Sequence, residues 1–178
     1  MNIKLLILLL PLVFMFHDFE EIIMFQPWLE KNRDELKRRF PKIDKILTKN
    51  HDHLSTSAFA VAVLHEFFLI AVITCVSLYF DSYHWWFGAF AAFLLHLIVH
   101  IGQWIIYGKY VPFIFTSILS LPYCLYTSFE FMKFTTLTAP QLSFWTVIGV
   151  GLTIVSFVPA FFWASQFERW KNQKYLMQ

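Results

Sequence analysis

Cysteine is scarce in this chain: only Cys75 and Cys124 occur, each inside an apolar run. No disulfide framework is built from such a pair, and each reads as a small buried hydrophobe. Charge is scarce as well, with 15% charged residues and a formal net charge of +2. That balance is too weak to hold a polyanion, which excludes a nucleic-acid partner. No small-x-small cleavage pattern follows the apolar N-terminal stretch, and His17-Asp18-Phe19-Glu20-Glu21 is an odd continuation for a secretory signal. A retained first helix is therefore expected. No repeat at solenoid or inverted-half period is visible.

What is present is apolar. Of 178 residues 58% are hydrophobic, 22 are Phe and 7 are Trp, and the mean hydropathy is +0.56. This composition predicts one integral-membrane domain over 1–178. Five apolar segments, 3–25, 57–80, 85–107, 110–131 and 141–167, each approach the length that crosses a hydrocarbon core of about 30 Å. The expected fold is all-α, a bundle of about five transmembrane helices.

The polar loop 27–56 carries Lys31, Arg33, Lys37, Arg38, Arg39, Lys42, Lys45 and Lys49. Trp28, Leu29, Leu36, Phe40, Ile43 and Leu47 recur there at mostly helical spacing. Two readings stand side by side: short amphipathic helices broken at Pro41 and lying on anionic inner-leaflet lipid, or a solvated basic loop. His51 and His53 read as loop polarity. Of the fourteen Lys and Arg, all but Lys4 and Lys133 fall on one side of this topology. Cytoplasmic loops carry such an excess, so the N-terminus is expected outside, the C-terminus in the cytoplasm, and the protein in the cell membrane.

Ionisable residues inside the apolar segments carry the functional signal. His17, Glu20 and Glu21 stand at i, i+3 and i+4 in the first span, on one helical face. The second span holds His65 and Glu66. In the third, His96, His100 and Gln103 form a stripe at i, i+4 and i+7 that continues to Tyr107. A charge at such depth costs at least about 2.5–3.5 kcal/mol, so these groups are expected to face protein, water or a metal. Counted at about 1.5 Å per residue from the cytoplasmic ends, they share one slab in the inner half of the bilayer.

Imidazole and carboxylate on facing helices suit a borderline divalent metal, with zinc preferred over iron or manganese. The expected ligands are His17, His96 and His100, with Glu20 or Glu66 completing the shell. Glu21 is expected to act as base toward a bound water, and His65, Gln103, Tyr107 and Tyr110 to line the cavity. Two histidines on one helix face cannot take opposite axial positions of one haem, which argues against haem. Hydroxyls at Thr116, Ser120, Tyr123 and Thr127, and the small-residue face Thr146, Gly149, Thr153, Ser156 and Ala160, read as packing.

Such a site fits hydrolysis of a lipid-like, membrane-dissolved substrate. The alternatives are passage of a cation or proton along the same carboxylates, and a structural His/Glu network in a membrane assembly protein. His17-Asp18-Phe19-Glu20-Glu21 near the start of a small multi-span chain resembles the HXXEE-motif membrane proteins, a family of uncharacterised function. Its further histidine resembles His96 or His100, and its Tyr-x-Pro-Gly stretch resembles Tyr110-Val111-Pro112-Phe113, with Phe113 in place of glycine. The resemblance supports the choice of site residues and implies no reaction.

Overall fold

The computed structural model describes residues 2–42, 44–45 and 55–175. These contain five long helices and no strand: α1 (Ile3–Arg39), α2 (Thr56–Tyr79), α3 (His84–Tyr107), α4 (Ile114–Phe134) and α5 (Ala139–Tyr175). Around the bundle the helices follow the order α1, α2, α5, α3, α4, each packing on its neighbours. α2, α3 and α5 are long and apolar enough to cross a membrane. The starts and stops follow local chemistry. Asn2 and Ser55 cap α1 and α2 through their side chains, accepting from Lys4 N and Ala58 N. Gly108 ends α3 with φ 78°, the left-handed conformation that glycine adopts without strain.

The first helix departs from expectation. It runs on through Pro27 to Arg39, so the segment expected as the start of a basic loop is a continuation of α1. The reason is a landing site for its apolar stripe. Leu29 and Leu36 are buried against Tyr107, Val111, Phe113 and Ile114 around the α3–α4 turn, with Trp28 and Phe40 packed alongside. Trp28 Nε1 donates to Tyr110 O at 2.9 Å, and Tyr107 OH donates to Asn32 Oδ1 at 3.1 Å. Lys31, Lys37 and Arg38 are exposed on the other flank. His51 and His53, and Leu47 with Lys49, lie outside the described residues.

The span expected from 110 begins at Ile114 instead, because Pro112 cannot donate and Tyr110 to Phe113 form the turn. The last helix extends beyond 167 to Tyr175, where Glu168 accepts from Ser55 at the start of α2. Pro11 sits within α1 and leaves the Ile7 carbonyl without its helical donor. Trp86 Nε1 of α3 supplies the replacement at 3.2 Å.

One exposed ion pair ties the α1 extension to the α3–α4 turn. Lys109 Nζ donates to both Glu35 oxygens at 3.0 and 2.8 Å, and Arg39 donates to Oε1 at 2.9 Å. Lys109, then Arg39, hold the Glu35 carboxyl below its ordinary value of 4.5. A lowered folded-state value means that the tie contributes above the ordinary carboxylate range and is lost as pH falls through the lowered value. Acidification below the ordinary carboxylate range is therefore expected to lower the protection factors of the amides over 28–39, each rate being divided by the intrinsic exchange rate at that pH. Glu35→Gln is expected to show the lowered protection already at neutral pH.

Candidate metal centre

At 3.6 residues per turn each step in α1 rotates about 100°, so His17, Glu20, Glu21 and Asp18 fan out at about 0°, −60°, +40° and +100°. The neighbours of α1 then decide what each touches. His17 and Glu21 face α3, Glu20 turns toward α4, and Asp18 turns into the cavity that α1 shares with α2, α3 and α5. Phe19, on the remaining side, is exposed.

Four side chains converge between α1 and α3. His17, Glu21, His96 and His100 each offer one ligand atom, and these atoms lie within 4.8 Å of one another. His96 Nε2 stands 3.2 Å from His17 Nε2 and 2.7 Å from His100 Nε2. Glu21 Oε1 lies 2.8 Å from His100 Nε2 and 3.6 Å from the Nε2 atoms of His17 and His96. A tetrahedral ion with bonds of 2.0–2.1 Å requires ligand–ligand edges of about 3.3–3.4 Å. The edges here bracket that value.

The rest of the geometry points the same way. His17 Nδ1 meets Thr116 Oγ1 at 3.2 Å and His100 Nδ1 meets Gln103 Oε1 at 2.9 Å. Thr116 O–H donates to Glu20 Oε2 at 2.7 Å, which leaves Thr116 Oγ1 to accept from His17. These partners place the His17 and His100 protons on Nδ1 and aim the Nε2 lone pairs at the common point. Glu21 Oε1 is buried and accepts no hydrogen bond. Lone pairs and an orphaned carboxylate oxygen facing one another are a donor set for a divalent cation. His17 is fully buried, Phe113 stacks on His100 at 4.0 Å, and Phe93 packs edge-on against His17 at 5.9 Å. Of the three histidines only His96, with 36% of its side chain exposed, opens toward the cavity, beside Glu21.

The other expected site residues fall into distinct places. Glu20 is away from the converging atoms, where it accepts from Tyr110 OH at 3.0 Å and from Thr116 N at 2.9 Å. It supports His17 through Thr116 and is not in ligand position. Glu66 is outside the cluster too, accepting from Ser156 Oγ at 2.8 Å on the cavity wall, with His65 beside it at 3.3 Å. Glu21 takes the corner expected of Glu20 or Glu66. Gln103 and Tyr110 hold site residues, as described, whereas Tyr107 serves the α1 extension. Sequence reasoning read Thr116 as packing and passed over Asp18. Nothing in a hydroxyl at helical spacing announces a partner 99 positions away. Asp18, only 5% exposed, was legible in the motif itself as a fourth ionisable group in an apolar segment.

The cavity has a volume of about 310 Å³, at the small end of ligand-sized pockets. Asp18, Glu21, Glu66 and His96 contribute its ionisable lining, and most of its remaining wall is apolar.

Residues 8–127 match the family described as "Protein of unknown function with HXXEE motif". No curated protein and no solved structure matches the chain. The chain belongs to the HXXEE family.

Proposed function

We propose that this HXXEE-family chain is an integral-membrane metalloprotein that activates water against an ester or amide bond of a lipid-like, membrane-dissolved substrate. The carrying observation is the convergence of three imidazole Nε2 atoms and an orphaned Glu21 oxygen within 4.8 Å of one another. His17, His96 and His100 are the ligands, and zinc is preferred because three imidazoles with one carboxylate suit it. A divalent ion held there would supply an electrophile and lower the pKa of a bound water to about 7. Glu21 would complete the donor set, and its carboxylate is placed to take a proton from a water in the site. Thr116 and Gln103 fix the tautomers, and Glu20 with Tyr110 fixes Thr116.

All five helices are taken as spans. Besides the three apolar ones, α1 and α4 present large exposed apolar side chains such as Leu12, Ile23, Leu119 and Leu125, which supports lipid contact around the whole ring. The Lys and Arg excess supports an N-terminus outside, a cytoplasmic C-terminus and a plasma-membrane location, with exposed Lys31, Lys37 and Arg38 toward anionic lipid. Cation passage has less support, because the cavity walls beyond Phe93 offer no ionisable group among the described residues.

Elemental analysis of protein purified without chelator tests the reading directly. About one equivalent of zinc or another divalent transition metal per chain is expected, and less than about a tenth of an equivalent after metal addition at neutral pH ends it. Thr116→Val removes the acceptor for His17 Nδ1–H at nearly constant volume. It is expected to weaken metal affinity by about 10–100-fold while leaving the helices intact by circular dichroism.

A further inference from the structure

The cavity is a slot with two unlike ends. Along α3 it runs from His96 to Trp85, a rise of about 17 Å. Ile70 and Ile73 of α2, Ala89 and Ala92 of α3, and Ile148 and Leu152 of α5 line that length. Trp85 and Trp145, with ring centroids 4.7 Å apart, stand at the far end. Its breadth is limited where α3 and α5 meet at Gly88 and Gly149, whose backbones are in direct contact. A slot of about 310 Å³, long and narrowed at that crossing, has the shape for one hydrocarbon chain.

The near end is acidic. Asp18, Glu21 and Glu66 face it, and no Lys or Arg lines the slot among the described residues. Glu66 is engaged by Ser156 and His65, and Glu21 belongs to the histidine cluster. Asp18 is 95% buried, lies 4.0 Å from His17 Nε2, and accepts no hydrogen bond from any described residue. Its carboxyl lines the slot with no donor among the described residues, so a ligand nitrogen held there can donate to it. An anionic head would meet the carboxyl groups of Asp18 and Glu66 instead.

We infer that the slot binds a single-chain amphiphile with an amino head group, its nitrogen on Asp18 and its tail running toward Trp85 and Trp145. This names the substrate class of the site proposed above and rests on that reading only for the reaction, since the slot and Asp18 exist without a metal. The substrate's scissile bond then lies beside the nitrogen, within reach of the histidine cluster.

The test uses the full chain in lipid nanodiscs, with metal content measured on the same sample. The probe is a fourteen-carbon amine carrying a diazirine at the tail end, and crosslinked peptides are mapped by mass spectrometry. Labelling is expected on the stretch 145–152 of α5 or on the first turns of α3. Unlabelled tetradecylamine is expected to compete at least tenfold better than tetradecanoate. Asp18→Asn is expected to erase that preference, and Ala92→Leu to abolish competed labelling without changing metal content. Equal competition by the carboxylate, or labelling confined to lipid-facing residues and indifferent to competitor, overturns the inference. Competed labelling of a metal-free protein supports the slot and defeats the metal reading alone.

Discussion

Gly149→Ala is expected to lower the thermal midpoint of the detergent-solubilised protein sharply, whereas Gly151→Ala, two residues along the same helix, is expected to leave it unchanged or raise it. A Cβ on Gly149 lands 2.1 Å from Gly88 O, 2.4 Å from Gly88 C and 2.7 Å from Gly88 Cα. All three are backbone atoms, so no side chain can swing away and the helices must part by about 1 Å to restore a carbon–oxygen contact near 3.3 Å. Overpacking of a rigid contact costs about 3 kcal/mol or more. At Gly151 an added Cβ meets nothing within 4 Å, so only the gain in helix propensity, about 1 kcal/mol, remains. Gly88→Ala falls between, its Cβ meeting Trp145 O at 2.9 Å. The expected order of damage is Gly149, Gly88, Gly151. Uniform loss at all three glycines would instead mean that generic helix flexibility, and not backbone contact, sets stability. Because α3 also carries His96 and His100, Gly149→Ala is expected to weaken metal binding in parallel.

That crossing shows what the chain makes legible by itself. Gly149 stood out within a small-residue face, and such faces signal close packing. Its partner could not be named, because neighbour order around the bundle is set by contacts among residues far apart in the chain. The helices themselves were visible as apolar runs, and three of them are long and apolar enough to cross a membrane. The continuation of α1 to Arg39 was hidden. Eight basic residues imitate a loop, and the stripe Leu29–Leu36 makes sense only once the α3–α4 turn is there to receive it. The site was half legible for the same reason. The spacing of His96 and His100 and the presence of His17 and Glu21 on one face of α1 follow from helical rotation alone. Which glutamate would ligate did not, since Glu20 and Glu21 differ by one step of about 100° and the choice rests on α3, not α4, lying on the Glu21 side. Phe113, in place of the glycine in the resemblance, lies flat on His100 and limits its exposure.

His96→Ala separates a metal centre from a structural network through its effect on the response to zinc. His96 Nε2 is the hub, 2.7 Å from His100 Nε2 and 3.2 Å from His17 Nε2. In the metal-free protein the His96 ring is free to carry its proton on Nε2 and donate to one of those neighbours, so under either reading truncation removes a hydrogen bond and costs about 0.5–1.5 kcal/mol. A metal centre adds a second effect: wild type gains about 2.7 kcal/mol at a hundredfold excess of free ion over Kd, while the variant, short of one ligand, gains little. The gap between wild type and variant is therefore expected to widen when zinc is added. Paired melting curves with chelator and with buffered zinc read both quantities. A wild type indifferent to zinc would assign His17, Glu21, His96 and His100 to structure and remove the basis for water activation.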